Sequence, residues 1–243
     1  MKVRHRSLLG LCLCLCPCLC LEDEKTGRGT GTGKGTGEGQ ATKKMEPMRR
    51  RDAVLLALGF EGGLLLLAWL LGWLLHQPPR AQTRWSWHDF SIGVAATIPL
   101  LLGLLICIRW PIGPLRRIKA ISEEFIRPLF RGCTVVDLAL ISLVAGFGEE
   151  MLFRGVVQGV SDRWFGVGWG LLIGSVLFGL VHLITPTYAV LATLCGVYFG
   201  VLVMLTDNLL AAIVPHALYD FVALLYIVRW SKSGTPAEPA PAP

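Results

Sequence analysis

The chain has 243 residues, 53% of them apolar and only 16% charged, with a net charge of +6. Mean hydropathy is +0.57 and the isoelectric point is about 9.0. These values exclude an ordinary soluble domain, whose apolar share is lower. They also argue against nucleic-acid binding: the basic residues crowd at the ends of apolar runs, where positive charge reports membrane topology.

Residues 1–45 imitate a secretory signal without completing one. Lys2, Arg4 and Arg6 precede a short apolar run that holds Cys12, Cys14, Cys16, Cys18 and Cys20 at alternate positions, and no small-x-small cleavage site follows. A stretch with glycine at every second position comes next and has no side chains to bury. Met45 and Met48, just ahead of Arg49, Arg50 and Arg51, offer an alternative translation start. The other cysteines, Cys107, Cys133 and Cys195, stand apart in or beside apolar segments and read as packing residues, because no zinc-type cysteine spacing exists.

From residue 52 onward the apolar residues fall into runs of about 20, the length that crosses a hydrocarbon core of roughly 30 Å as a helix. Six such segments are expected, over 53–75, 90–108, 134–157, 167–184, 188–206 and 209–228. A backbone in lipid must satisfy its own hydrogen bonds, so they are read as helices. The predicted fold class is therefore all-α, a polytopic transmembrane helix bundle of about six spans with disordered N- and C-terminal ends. Within it, 46–132 holds two spans and a connector, 133–230 forms a compact membrane domain, and 231–243 is a Pro/Ala tail.

Loop charges orient the bundle. Arg49 to Arg51, the second loop with Arg109, Arg116, Arg117, Lys119, Arg127 and Arg131, and Arg229 with Lys232 all fall on one side if the spans are six. That side is the cytoplasmic one, with both termini of the core there and the protein multi-pass in the cell (plasma) membrane. The second loop reads as amphipathic, either with Ile118, Ile121, Phe125 and Ile126 against the membrane face and Arg116, Lys119 and Glu123 toward water, or as a solvated connector that touches nothing in particular.

Three clusters then place polar residues where lipid tolerates them least. A charge at mid-bilayer costs at least ~2.5–3.5 kcal/mol on insertion scales. In EEMLFR at 149–154, Glu150 and Arg154 are four apart and pair on one face. Glu149 points about 100° away and needs a partner on another helix, a proton or a role. FGLVH at 178–182 contributes His182, and HALYD at 216–220 contributes His216 and Asp220 on a shared face. Each cluster alone is explained by local neutralisation. Three of them on neighbouring helices form a polar pocket in a dry scaffold, which is the composition of a catalytic centre.

The spacing also raises a difficulty. Glu149 falls about two-thirds of the way along its expected span and His182 near the end of its own, so the two meet only if the helices are offset, tilted or longer. Pro186 marks a break that shifts the second helix end.

These clusters resemble the three motifs of the CAAX protease and bacteriocin-processing (CPBP or Abi) family of intramembrane endopeptidases, which includes the type II CAAX prenyl endopeptidases. The family pattern is Glu-Glu-x-x-x-Arg, Phe-x-x-x-His and His-x-x-x-Asn, and EEMLFR, FGLVH and HALYD match it in order and spacing over about residues 135–227. The resemblance implies a membrane endopeptidase in which Glu149 is the general base and His182 its partner. It assigns His216 and Asp220 to the oxyanion, and Glu150, Arg154 and Phe178 to supporting the site. The chain departs from the family in two respects: Asp220 stands where asparagine is usual, and the spans are fewer.

The residues by themselves leave two mechanisms open. One is a metal-free water activated by the Glu–His pair. The other uses zinc, for which His182 and His216 with either Glu149 or Asp220 form a candidate ligand set that leaves one position for water. The expected partners are a membrane-embedded or membrane-anchored peptide or protein substrate and the lipid bilayer, with no nucleic acid. A silent immunity or binding protein and a proton-coupled transporter are the competing readings. No internal repeat of the transporter kind is present.

Overall fold

The computed structural model describes residues 48–231. The signal-like segment 1–45 and the tail from 232 lie outside the described residues. Among the described residues every element is helical. In chain order they are α1 (Arg50–Leu74), α2 (Trp87–Arg109), α3 (Pro114–Ile121), α4 (Arg127–Phe130), α5 (Val135–Glu150), α6 (Gly159–Phe165), α7 (Val167–Val181), α8 (Pro186–Thr206) and α9 (Leu210–Arg229). Two π-helical stretches, Ser122–Ile126 and Met151–Gln158, join α3 to α4 and α5 to α6.

All six expected apolar segments are helical, but they are not equal as spans. By length and composition α1, α2, α8 and α9 can each cross a bilayer alone. A fifth crossing results if Pro114–Phe130 and Val135–Phe165, bent by 113°, count as one span. Helix α7 has 15 residues and rises about 22 Å at 1.5 Å per residue, short of the roughly 30 Å core. The chain is an integral membrane protein, and large apolar side chains such as Leu66, Val136 and Leu205 remain exposed on its outer face, toward lipid.

Helix α5 is the axis of the bundle. It starts with a capping box, in which the Thr134 hydroxyl accepts from the Asp137 amide and the Asp137 carboxylate accepts from the Thr134 amide. The same carboxylate takes a two-pronged bond from the Arg50 guanidinium, at 2.6 and 2.9 Å, so α1 and α5 begin side by side. Equally far along each helix, the Glu61 carbonyl lies against Gly148, where a Cβ would stand 2.7 Å from its oxygen. Equal steps from a common start mean that α1 and α5 run in the same direction. Gly146 serves α9 in the same way, since a Cβ there would stand 3.1 Å from both the Ile213 oxygen and the Ala217 nitrogen. The glycines of GFG at 146–148 thus admit two backbones immediately before Glu149 and Glu150.

Helix α9 runs antiparallel to α5. Arg229 near its end donates to the Cys133 carbonyl just before α5, at 2.7 Å. Leu224 and Val228 share an apolar cluster with Phe130, Leu138 and Ile141.

At the other end, Asn208 joins two loops. Its side-chain oxygen accepts from the Arg84 and Leu210 amides, and its Nδ2 donates to the Arg84 carbonyl and to Asp89. Asn208 is fully buried, so truncation strands several of these partners. Asn208→Ala is expected to lower stability by about 2–3 kcal/mol, read as an earlier thermal unfolding transition in detergent. An unchanged transition would show that these loops are held some other way.

The connector between α2 and α5 differs from expectation. Three of the four apolar residues named for the membrane face, Ile118, Ile121 and Ile126 but not Phe125, line an internal cavity. Lys119 and Glu123 line it with them; its volume is about 480 Å³ and its other walls come from α2, α8 and α9. The physical reason is a gap. Helices α2 and α8 leave an apolar concavity beside α9, and a short amphipathic helix buries more of its own apolar stripe by closing that gap than by resting on headgroups. The Ser231 hydroxyl bonds to the Glu123 carboxylate and ties the connector to the end of α9.

Candidate active site

The site is assembled from α5, the end of α7, and α9, with α8 as a wall. Glu149 and Glu150 end the α-helical part of α5, and the helix continues through the π-helical stretch Met151–Gln158 into α6 without leaving its axis. The expected span 134–157 is therefore part of a longer run reaching Phe165, which puts Glu149 near the middle of that run. Helix α7 ends at Val181, and His182 occupies its C-cap. The depth mismatch inferred from the expected spans disappears, because one helix is longer and the other stops at the level of Glu149.

His182 donates from Nδ1 to the Phe178 carbonyl at 2.6 Å. A carbonyl only accepts, so Nδ1 carries the proton and Nε2 is turned to the site. Nε2 stands 3.6 Å from Glu149 Oε2. His216 places its own Nε2 3.9 Å from the same oxygen and 3.5 Å from Asp220 Oδ2. Its Nδ1 is 2.6 Å from Glu150 Oε1. Glu149, Glu150, His182 and His216 are all buried, while the Asp220 side chain keeps 24% exposure and faces the cavity.

Glu150 has two duties where the sequence suggested one. Its Oε1 accepts from Arg154 Nη1 at 2.9 Å, the expected one-turn pair, and also from His216 on α9. One carboxylate oxygen thus fixes both the arginine and the ring orientation of a histidine from another helix. Arg154 is almost completely buried, with its guanidinium 4.2 Å over the Phe178 ring and 5.3 Å from that of Phe199. Phe178 also meets His182, ring to ring at 4.3 Å, and so contacts both the arginine and the histidine.

Two residues of the site escaped the sequence reading. Phe199 of α8 stacks flat on His216, with centroids 5.0 Å apart and planes 6° apart. One phenylalanine in an apolar span has no distinguishing mark, so no sequence signal was available. Glu61 of α1 is 7% exposed and lies beside α5 one residue before Glu149. It had a signal, since it is an acid within an apolar span, the same warrant that drew attention to Glu149.

The zinc alternative meets an unfavourable geometry. Among the described residues no group of three or more His, Cys, Asp or Glu side chains is arranged to hold a metal ion.

Residues 131–222 match the family model described as Type II CAAX prenyl endopeptidase Rce1-like. The similarity is to the CAAX protease family, and it covers less than half of the chain. The matched segment runs from just before α5 into α9 and contains all three motif clusters, while α1, α2 and the connector lie outside it. No curated protein and no solved structure matches the chain.

Proposed function

We propose that the protein is an intramembrane endopeptidase that hydrolyses a peptide bond of a membrane-associated peptide or protein with a water activated by Glu149 and His182. One observation carries the reading. Both imidazole Nε2 atoms face a single carboxylate oxygen, Glu149 Oε2, at 3.6 and 3.9 Å. These separations are too long for direct hydrogen bonds and suit a water held between the groups. His182, His216 and Asp220 open onto the apolar cavity, which is wide enough for a short stretch of apolar chain.

The chemistry follows from the donors. His182 Nε2 and Glu149 orient the water, and Glu149 takes its proton as the oxygen attacks the scissile carbonyl carbon. His216 donates from Nδ1 to Glu150 and presents its Nε2 to the oxyanion that forms. The C–N bond then breaks, and the proton held by Glu149 passes to the leaving amine. Asp220 holds His216 from the cavity side, a positioning role open to a carboxylate. The family resemblance places the same residue at the oxyanion, where a carboxylate cannot donate unless it carries a proton.

The test compares membrane-peptide profiles by mass spectrometry in cells carrying the parent protein or Glu149→Ala at matched abundance. A precursor that accumulates, with loss of its shorter product, supports the reading and names the substrate. Identical profiles would remove it and favour a silent binding protein or a proton-coupled transporter.

A further inference from the structure

Glu61 is a buried acid that the mechanism above does not use. It comes from α1, outside the matched segment. Its backbone touches α5 at Gly148. Glu149 follows Gly148 directly, and His216 of α9 reaches Glu149 at 3.9 Å and Asp220 at 3.5 Å. Its Oε2 is buried and has no hydrogen-bond partner, and among the described residues no cation forms an ion pair with it.

The charges of the cluster do not balance. Four carboxyl groups meet here, Glu61, Glu149, Glu150 and Asp220. Among the described residues, the ion-pair contacts to them come from Arg154 and, if protonated, His182 and His216. Four negative charges against at most three positive ones leave a surplus in a water-poor site, where like charges at close range cannot all persist. Glu150 is held as a carboxylate by Arg154 and His216. The balancing proton therefore belongs to the group formed by Glu61, Glu149 and Asp220. Glu149 must be free to accept a proton if it is the base. Asp220 is partly exposed to the cavity and faces a histidine. Glu61 is buried, and among the described residues no cation pairs with it.

We propose that Glu61 is a positioning residue of the catalytic centre, entering as the neutral acid and donating a hydrogen bond into the carboxylate cluster of Glu149 and Asp220. The first span then does more than enclose the matched segment. It supplies the O–H that keeps two neighbouring carboxylates in place while one of them acts as base. This role rests on the endopeptidase reading, and its test is chosen to be separable from it.

The first arm needs no substrate. Infrared spectra of the purified full-length protein in lipid at neutral pH should show a carboxylic-acid C=O band in the parent that is lost in Glu61→Gln and Glu61→Leu. A band that persists in both variants, or is absent from the parent, overturns the proposal.

The second arm follows the peptide whose processing disappears in Glu149→Ala. Glutamine replaces the O–H donor by an N–H donor, so Glu61→Gln should process it within about 3-fold of the parent. Glu61→Leu should be slower by on the order of 100-fold, the effect of misplacing a catalytic group by about an ångström. Thermal unfolding of each variant separates this from loss of fold. Parental rates in a folded Glu61→Leu, or equal damage in folded glutamine and leucine variants, overturn the proposal. If Glu149→Ala changes no peptide, the endopeptidase reading fails while the infrared arm still decides on Glu61.

Discussion

Glu149→Gln should lower kcat for peptide hydrolysis by about 10²–10⁴-fold, the usual contribution of a positioned general base, and leave KM nearly unchanged. Glutamine has almost the shape of glutamate and still accepts a hydrogen bond through its oxygen, so the water keeps a neighbour. What it loses is the capacity to take a proton from that water. The separation of kcat from KM is the informative part. A residue that only helped to seat the substrate would raise KM and leave kcat alone. Unfolding measurements on the same sample complete the test, because glutamine removes a buried charge and should not lower stability. If Glu149→Gln turns over substrate at the parental rate, the base lies elsewhere in the cluster.

The second large effect concerns Glu150 and Arg154, and it should appear first in stability. Both side chains are buried, and one carboxylate oxygen holds both Arg154 and His216. Removing Glu150 leaves a guanidinium in a water-poor interior without its carboxylate. Losing one member of such a pair costs about 3–5 kcal/mol, so Glu150→Ala is expected to unfold at a markedly lower temperature in detergent. Replacing both members by apolar residues of similar volume, Glu150→Leu with Arg154→Met, removes the uncompensated charge and should recover most of that loss. Activity should not recover with it, since His216 still lacks the acceptor that orients its ring. A double variant that is stable and inactive would separate the two duties of Glu150. A single variant as stable as the parent would show that the pair is not what holds the helix.

What could be read without coordinates was local. Runs of apolar residues specify helices wherever lipid denies the backbone any other hydrogen-bond partner, and each of the six segments is helical. The pairing of Glu150 with Arg154 was also legible, because a four-residue spacing on a helix fixes which side chains are neighbours, and their bond persists through the start of the π-helical stretch. The choice of Glu149, His182, His216 and Asp220 followed from the cost of burying polar groups together with the family resemblance of the three motifs.

Tertiary structure decided everything that depends on distance between helices. Gly146 and Gly148 look like any small residues in an apolar run until α9 and α1 are seen against them. The second bond of Glu150, to His216, joins residues 66 positions apart in the chain. Phe199 became part of the site only by stacking on His216. The connector turned inward because a concavity existed to be filled, a property of three helices at once. Glu61 lay in plain view as an acid in an apolar span, yet its place beside Glu149 depends on α1 and α5 starting together at the Arg50–Asp137 bridge and running in the same direction. Periodicity fixes the face a side chain occupies on its own helix. Which face of which other helix it meets is set by packing, where close backbone approach, buried charge and apolar area are balanced across the whole bundle.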